Sequence, residues 1–290
     1  MTWIFIALIA YIINAFVFVV DKYLLDAPIP RPFAYAFWIS LLSLFVVALI
    51  PFGVYWPDPL FLGVAILSGV SNFLGLIFLY RSIKLSDVSI ATTKIGALSV
   101  VFTYIFSVLI LGKETVSLNL HSLLLFAVGI YFLSRLKFNM SVLSLAIFGG
   151  IFMGLSVVLL KWNFNHSDFI NGVFWTRMGF VFPALASLPF SSLRSQALSQ
   201  LGNAKSSSRL IFVANKILAT IGFILIYYAI SLGDVSTVNA LSGFQFIFVL
   251  ILAIIFSNRL KFKEDLNINS IINKSIGVAL ILLGFWVSIK

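Results

Sequence analysis

Three cationic residues stand inside apolar runs of a chain that keeps nearly all its other charges at the edges of such runs. Lys94 lies in "LSDVSIATTKIGAL" (85–98), Arg177 in "FWTRMGF" and Lys216 in "VANKILAT". An ionisable group at hydrocarbon depth costs at least about 2.5–3.5 kcal/mol on insertion scales, so each demands a function or a specific partner. At 1.5 Å per residue Lys94 and Lys216 lie about 10 Å into their runs, and Arg177 lies nearer the middle. Three such cations can form a cavity wall that holds an anionic or carboxylate-bearing solute. The competing reading is that the lysines snorkel back to headgroups and that Arg177 pairs with helix-end carbonyls. Uncharged polar residues add to the set: Asn14, Asn72 and Gln245 near mid-run, and Asn239 nearer a run end. They can hydrogen-bond a solute in a central cavity or join helices to one another. Trp38 and Trp175, with Tyr104 and Tyr227, can line an aromatic pocket or simply pack. The "GGIFMG" stretch (Gly149, Gly150, Gly154) presents small residues at the spacing that lets helices approach closely, which is a packing signal.

The missing chemistry narrows the field. All nine carboxylates (Asp21, Asp26, Asp58, Asp87, Glu114, Asp168, Asp234, Glu264 and Asp265) read as loop or run-end residues, and the two histidines are His121 and His166. No run therefore offers an acidic counter-charge for a lipophilic cation or a carboxylate proton relay. Asp87 and Asp234 read as N-terminal helix caps. There is no cysteine, which excludes thiol catalysis, thiolate ligands and disulfides. Membrane-embedded lipid chemistry needs clustered acids, histidines or a metal at one interface. The only adjacent acidic pair, in "KEDLN" (263–267), is explained by loop solvation. The reading is of a protein without catalytic residues, metal or cofactor.

These residues must be positioned by membrane helices. Of 290 residues, 61% are hydrophobic and 10% charged, against roughly a quarter charged in soluble domains. Continuous apolar runs of eighteen residues or more can cross a core of about 30 Å as helices. Ten spans are expected, at 2–20, 33–52, 60–80, 88–111, 118–134, 141–160, 169–190, 209–230, 235–257 and 271–289. The first run lacks the basic start and small-residue end of a cleavable leader and reads as span one. The Ser-rich link 191–208 reads as a tether or a short interfacial helix. Net charge is +10, but the basic residues fall in short links, which points to phospholipid contact and topology, not nucleic acid. Thirteen Lys/Arg fall on the side bearing links 1–2, 3–4, 5–6, 7–8 and 9–10 (side X) and three on the opposite side Y. The positive-inside rule puts X in the cytoplasm and both termini outside.

The stretch at Leu85 returns at "LGDVSTVNALSGFQ" (232–245), 147 residues on. At that offset Tyr80 matches Tyr227, Ile83 matches Ile230, Asp87 matches Asp234 and Gly96 matches Gly243. "FW" at 37–38 is echoed at 174–175, and Lys22 after span one is echoed by Lys161 after span six. The chain reads as two five-helix copies, residues 1–138 and 139–290. Five being odd, the second copy enters the membrane inverted. Inverted repeats mark secondary transporters, with the substrate site near the midplane between the halves.

The two five-span halves, "Y-x-x-I-x-L-x-D-V-S", "LILGKETVS" and the final "KSIGVALILLGFWV" resemble the drug/metabolite transporter superfamily, in particular its EamA-type ten-helix members. The resemblance implies a multi-pass permease of the prokaryotic cytoplasmic membrane with both termini cytoplasmic, opposite to the charge count. Many members carry proline where this chain has Ser99 and Phe246. The expectation is a carrier that moves a small metabolite, an amino acid or another carboxylate-bearing solute, by alternating access. A lipid or lipid-linked-sugar flippase, a drug exporter and a channel are the alternatives, and a homodimer is an open option. The expected substrate-binding residues are Asn14, Trp38, Asn72, Lys94, Trp175, Arg177, Lys216, Asn239 and Gln245.

Overall fold

The computed structural model describes residues 2–26, 31–112, 140–203, 205–260, 265 and 267–289, together with positions 121, 122, 124, 125, 128, 129 and 132. Among the described residues the regular structure is helical, with no strand. The chain runs through α1 (Thr2–Asp26), α2 (Pro32–Leu42, tightening into a 3-10 helix Ser43–Phe52), α3 (Pro59–Leu85) and α4 (Val88–Phe106, widening into a π turn Ser107–Leu111). It continues with α5 (Met140–His166), α6 (Phe169–Ser187), α7 (Ser191–Asn203), α8 (Ser206–Leu232), α9 (Val235–Ala240), α10 (Ser242–Leu260) and α11 (Ile268–Ile289).

Seven of these are long and apolar enough to cross a membrane, counting α2 and α4 with their extensions and α9–α10 as one. An eighth results if α6 and the start of α7, bent by 111° from each other, form one span. The apolar part of α11, Ile268–Gly284, is shorter. The expected fifth span, 118–134, lies largely outside the described residues. The Ser-rich link is helical as α7.

Local sequence sets the boundaries. Pro32 and Pro59 open α2 and α3, where a missing N–H is no loss. Asp58 and Asp168 cap α3 and α6 by accepting from the amides of Phe61 (3.0 Å) and Asn171 (2.9 Å). Pro51 lies within the 3-10 tail of α2, and Gly53 closes it with φ 98°, a left-handed conformation that a side chain would disfavour.

The faces are sorted by size more than by polarity. On α1, Ala7, Ala10, Asn14, Val17, Asp21 and Leu24 are buried, whereas Phe5, Ile9, Ile12 and Phe16 stand outward as the lipid-facing stripe. Small inward residues let backbones approach, which is how helices gain packing energy where lipid is as apolar as leucine. The "GGIFMG" stretch behaves accordingly: a Cβ on Gly154 would fall 2.9 Å from Thr103 N, so α5 lies directly on α4.

Two lysines 139 residues apart make like contacts at opposite ends of the bundle. Lys22 Nζ, near the end of α1, donates to the Ile83 (2.8 Å) and Ser86 (3.0 Å) carbonyls where α3 finishes. Lys161 Nζ, near the end of α5, donates to the Ile230 (2.9 Å) and Ser231 (3.2 Å) carbonyls where α8 finishes. Each ammonium answers the negative end of a helix dipole. Trp3 packs on Gly233 while Asp21 bonds Lys216, so α1 and α8 are antiparallel and the two lysine contacts lie at opposite ends of α1. Lys22 and Lys161, read from sequence as following spans one and six, therefore belong to helices.

The tryptophan pair repeats the pattern. Trp38 Nε1 donates to the Ala197 carbonyl of α7 (2.9 Å), and Trp175 Nε1 donates to the Tyr55 carbonyl after α2 (3.1 Å). Each indole pins the segment that follows the other's helix.

Candidate functional site

A cavity of about 130 Å³ opens at the centre of the bundle, roomy enough for a small solute or several waters. Its wall comes from α1 (Tyr11, Asn14, Phe18), α3 (Asn72, Leu76, Leu79) and α4 (Thr92, Ile95, Gly96, Ser99) on one side. The other side comes from α5 (Met153, Ser156, Val157), α8 (Phe223, Ile226, Tyr227, Ile230) and α9–α10 (Asn239, Ser242, Gln245). Offsets of 147 and 139, those of the repeat and of Lys22/Lys161, pair much of this wall with itself. Leu76 with Phe223, Leu79 with Ile226, Thr92 with Asn239, Ile95 with Ser242, Asn14 with Met153 and Phe18 with Val157 all have both members in the lining.

The wall is apolar and aromatic with a few polar groups. Asn239 Nδ2 donates to Thr103 Oγ1 (2.7 Å) and Ser99 Oγ (3.2 Å), tying α9 to α4. Tyr11 Oη donates to the Val238 carbonyl (2.9 Å), tying α1 to the break between α9 and α10. Two buried wall atoms, Asn14 Oδ1 and Ser242 Oγ, have no hydrogen-bond partner. A buried acceptor left unmade costs about 1–3 kcal/mol, so both are poised for a donor from a solute or water.

Four of the nine expected residues, Asn14, Asn72, Asn239 and Gln245, are brought together in this wall. The other five lie elsewhere. Trp38 and Trp175, both half-buried, spend their indole N–H groups on the backbone carbonyls described above. Lys94 is 2% exposed on α4 and is not part of the wall. Lys216 neither snorkels nor faces the cavity: its Nζ lies 2.6 Å from Asp21 Oδ1. Arg177 sits behind the wall, its guanidinium 4.7 Å from the Tyr227 ring centre and 5.2 Å from that of Phe223, two residues whose other surfaces line the cavity. Aromatic faces satisfy it in the way cation–π contacts do.

Two readings of the carboxylates are corrected. Asp21 is not a run-end residue; α1 continues through "KYLLD" to Asp26, so Asp21 is fully buried within it. The apolar "YLL" after "DK" was the signal that the helix goes on. Asp234 caps α9 as expected, accepting from the Thr237 amide at 2.6 Å. Asp87 occupies the cap position of α4 but makes no side-chain cap bond, turning instead to Lys274 Nζ at 2.9 Å. Sequence reasoning also missed Thr92 and Ser242 in the wall, although the 147-residue offset points from Asn239 straight to Thr92.

A bundle of long apolar helices around a small, mostly apolar central cavity defines a polytopic α-helical membrane protein with an internal solute-sized chamber. Residues 1–135 match the EamA-like transporter family, which supports the resemblance to the drug/metabolite transporter superfamily. No curated protein matches the chain. Among solved structures, a crystal structure described only as that of a protein aligns with a TM-score of 0.62 at 16% identity, covering 99% of this chain and 97% of that one. At that identity the likeness establishes the fold.

Proposed function

We propose that the chain is a secondary carrier of the prokaryotic cytoplasmic membrane, built from two five-helix units (1–138 and 139–290) inserted in opposite senses. It moves a small polar metabolite of zero net charge, such as an amino acid, by alternating access around the central cavity. The observation that carries this reading is the pairing of wall residues at the repeat offsets: a chamber lined by equivalent positions of two inverted units can be exposed to either side by equivalent motions. The expected carboxylate site formed by Lys94, Arg177 and Lys216 loses its basis, since none of the three lines the cavity. A net anion entering a wall without a charged side chain would surrender its hydration with no ionic partner. A zwitterion, carrying its own counter-charge and several donors, suits the open acceptors Asn14 Oδ1 and Ser242 Oγ.

A thermal-shift screen of the purified protein against amino acids, nucleosides, organic acids and cationic drugs tests this. A true substrate at a hundredfold excess over its Kd stabilises the folded carrier by about 2.7 kcal/mol. Asn14→Leu and Gln245→Leu are each expected to weaken that ligand about tenfold, or about 1.4 kcal/mol. Stabilisation by organic acids alone, or by a solute indifferent to both substitutions, would overturn the reading.

A further inference from the structure

Arg177 is an unanswered cation in contact with the wall of the chamber. It is 6% exposed within α6, and a guanidinium keeps its proton in proteins, so the charge stays in the bundle. Lys22, Lys161, Lys216 and Lys274 each donate to an oxygen. Among the described residues Arg177 has no hydrogen-bond or ion-pair partner. Its neighbours are the rings of Tyr227, Phe223 and Phe180, with centres at 4.7, 5.2 and 5.8 Å. Rings ease the burial of a cation, but they offer its five N–H donors no oxygen.

A second buried cation shows what is missing. Lys216 Nζ lies 4.7 Å from the centre of the Tyr35 ring and 5.7 Å from that of Tyr80, the residue paired with Tyr227 at the 147-residue offset. There a carboxylate completes the arrangement, with Asp21 Oδ1 2.6 Å from the ammonium. At Arg177 the rings and the cation are present, and no described carboxylate of the chain joins them. Tyr80 is not part of the lining, whereas Tyr227 and Phe223 are. The cation that lacks an acid is thus the one whose rings a solute can touch.

We infer that Arg177 sets the sign of charge the chamber accepts, drawing the carboxylate of a zwitterionic solute to the Phe223–Tyr227 side and turning away organic cations. The two rings prevent contact with the guanidinium, but they do not cancel its field. A carboxylate resting on the chamber side of Tyr227 adds one van der Waals contact to the 4.7 Å already present, about 8 Å in all. At that separation and an effective dielectric of about 20, the attraction is worth roughly thirtyfold in affinity. The ammonium of the same solute turns to the open acceptors Asn14 Oδ1 and Ser242 Oγ. An amine without a carboxylate meets the field of Arg177 as repulsion alone. Arg177 is therefore a positioning residue that acts through the rings in the lining. This rests on the carrier reading above and adds the charge pattern that the site selects.

The test compares binding of the standard amino acids to the purified full chain with binding of the amines left when their carboxylate is removed, isoamylamine for leucine among them. The ammonium is common to both, so the ratio of the two affinities isolates the carboxylate. For each amino acid that binds, Arg177→Met should lower this ratio about tenfold or more, while Arg177→Lys, which keeps the charge, should hold it within about threefold. A packing defect would weaken amino acid and amine alike and leave the ratio where it was. If Arg177→Met does not fold, Arg177→Gln carries the same test. A ratio within about twofold of the parent's in the neutral variant would overturn the role of Arg177 and leave the carrier reading standing. Failure of the parent to bind any of the amino acids would remove the zwitterion site and both readings with it.

Discussion

Lys216→Ala is expected to destabilise the protein by about 3–5 kcal/mol, a large share of the stability of any folded domain. The size follows from what is left behind. Asp21 keeps its charge and its full burial but loses the one cation that compensates it, and the remaining donors, Tyr35 and Asn215, are neutral. Asp21→Ala should cost a similar amount by stranding Lys216 between aromatic rings. The double replacement Asp21→Asn with Lys216→Met is expected to recover most of the loss, because desolvating two charges nearly cancels what their attraction returns. Thermal denaturation in one detergent of the parent, Asp21→Asn, Lys216→Met and their combination, read as a double-mutant cycle, checks this. Single and double variants that unfold together within about 0.5 kcal/mol of the parent would mean that water reaches the pair and screens it.

That pair also shows where the sequence was legible and where it was not. The apolar runs gave the helices and most of their ends to within a few residues, because hydrocarbon thickness and backbone hydrogen bonding leave little choice. The 147-residue offset pairs positions on α3 with α8 and on α4 with α9–α10, and depth along the runs alone selects the neutral amides Asn14, Asn72, Asn239 and Gln245, which share the cavity lining. Depth does not report azimuth. Lys94 leaves α4 on the face opposite the wall residues, Arg177 is separated from the chamber by Phe223 and Tyr227, and Lys216 lies on the wall face of α8 but beyond the end of the lining, bonded to Asp21. Nor does a run of apolar letters reveal a helix that continues beyond a charge. Asp21 was assigned to a span end because "DK" interrupts the run, whereas the partner that makes its burial tolerable lies 195 residues away on α8. Trp38 and Trp175 were read as pocket lining because nothing local shows that a distant carbonyl needs each indole.

Gly179→Val is expected to abolish correct assembly, at the upper end of overpacking costs, about 3 kcal/mol or beyond. A Cβ at this position would lie 2.6 Å from Ile66 Cα and 2.7 Å from the Ala65 carbonyl oxygen, and Gly69 meets the backbone of α6 across the same crossing. Both obstacles are main chain within helices, so no rotamer relieves them and α3 must separate from α6 along its length. Two other glycines, equivalent to each other at the repeat offset, predict a graded contrast. At Gly75 the nearest atoms are Met153 Cγ at 2.7 Å and Met153 N at 3.3 Å, so Gly75→Ala must turn the methionine and shift the α3–α5 contact slightly, at about 1–3 kcal/mol. At Gly222 the nearest atom is Asn14 Oδ1 at 2.5 Å, so Gly222→Ala must turn that amide within the cavity wall. It should leave stability near that of Gly75→Ala while sharply reducing ligand-induced thermal shift. Size-exclusion profiles and ligand-dependent melting of the three variants separate the outcomes. A Gly179→Val protein that elutes and melts like the parent would mean that the α3–α6 crossing is looser than described. Ligand response in Gly222→Ala equal to that of Gly75→Ala would remove Asn14 from the binding wall.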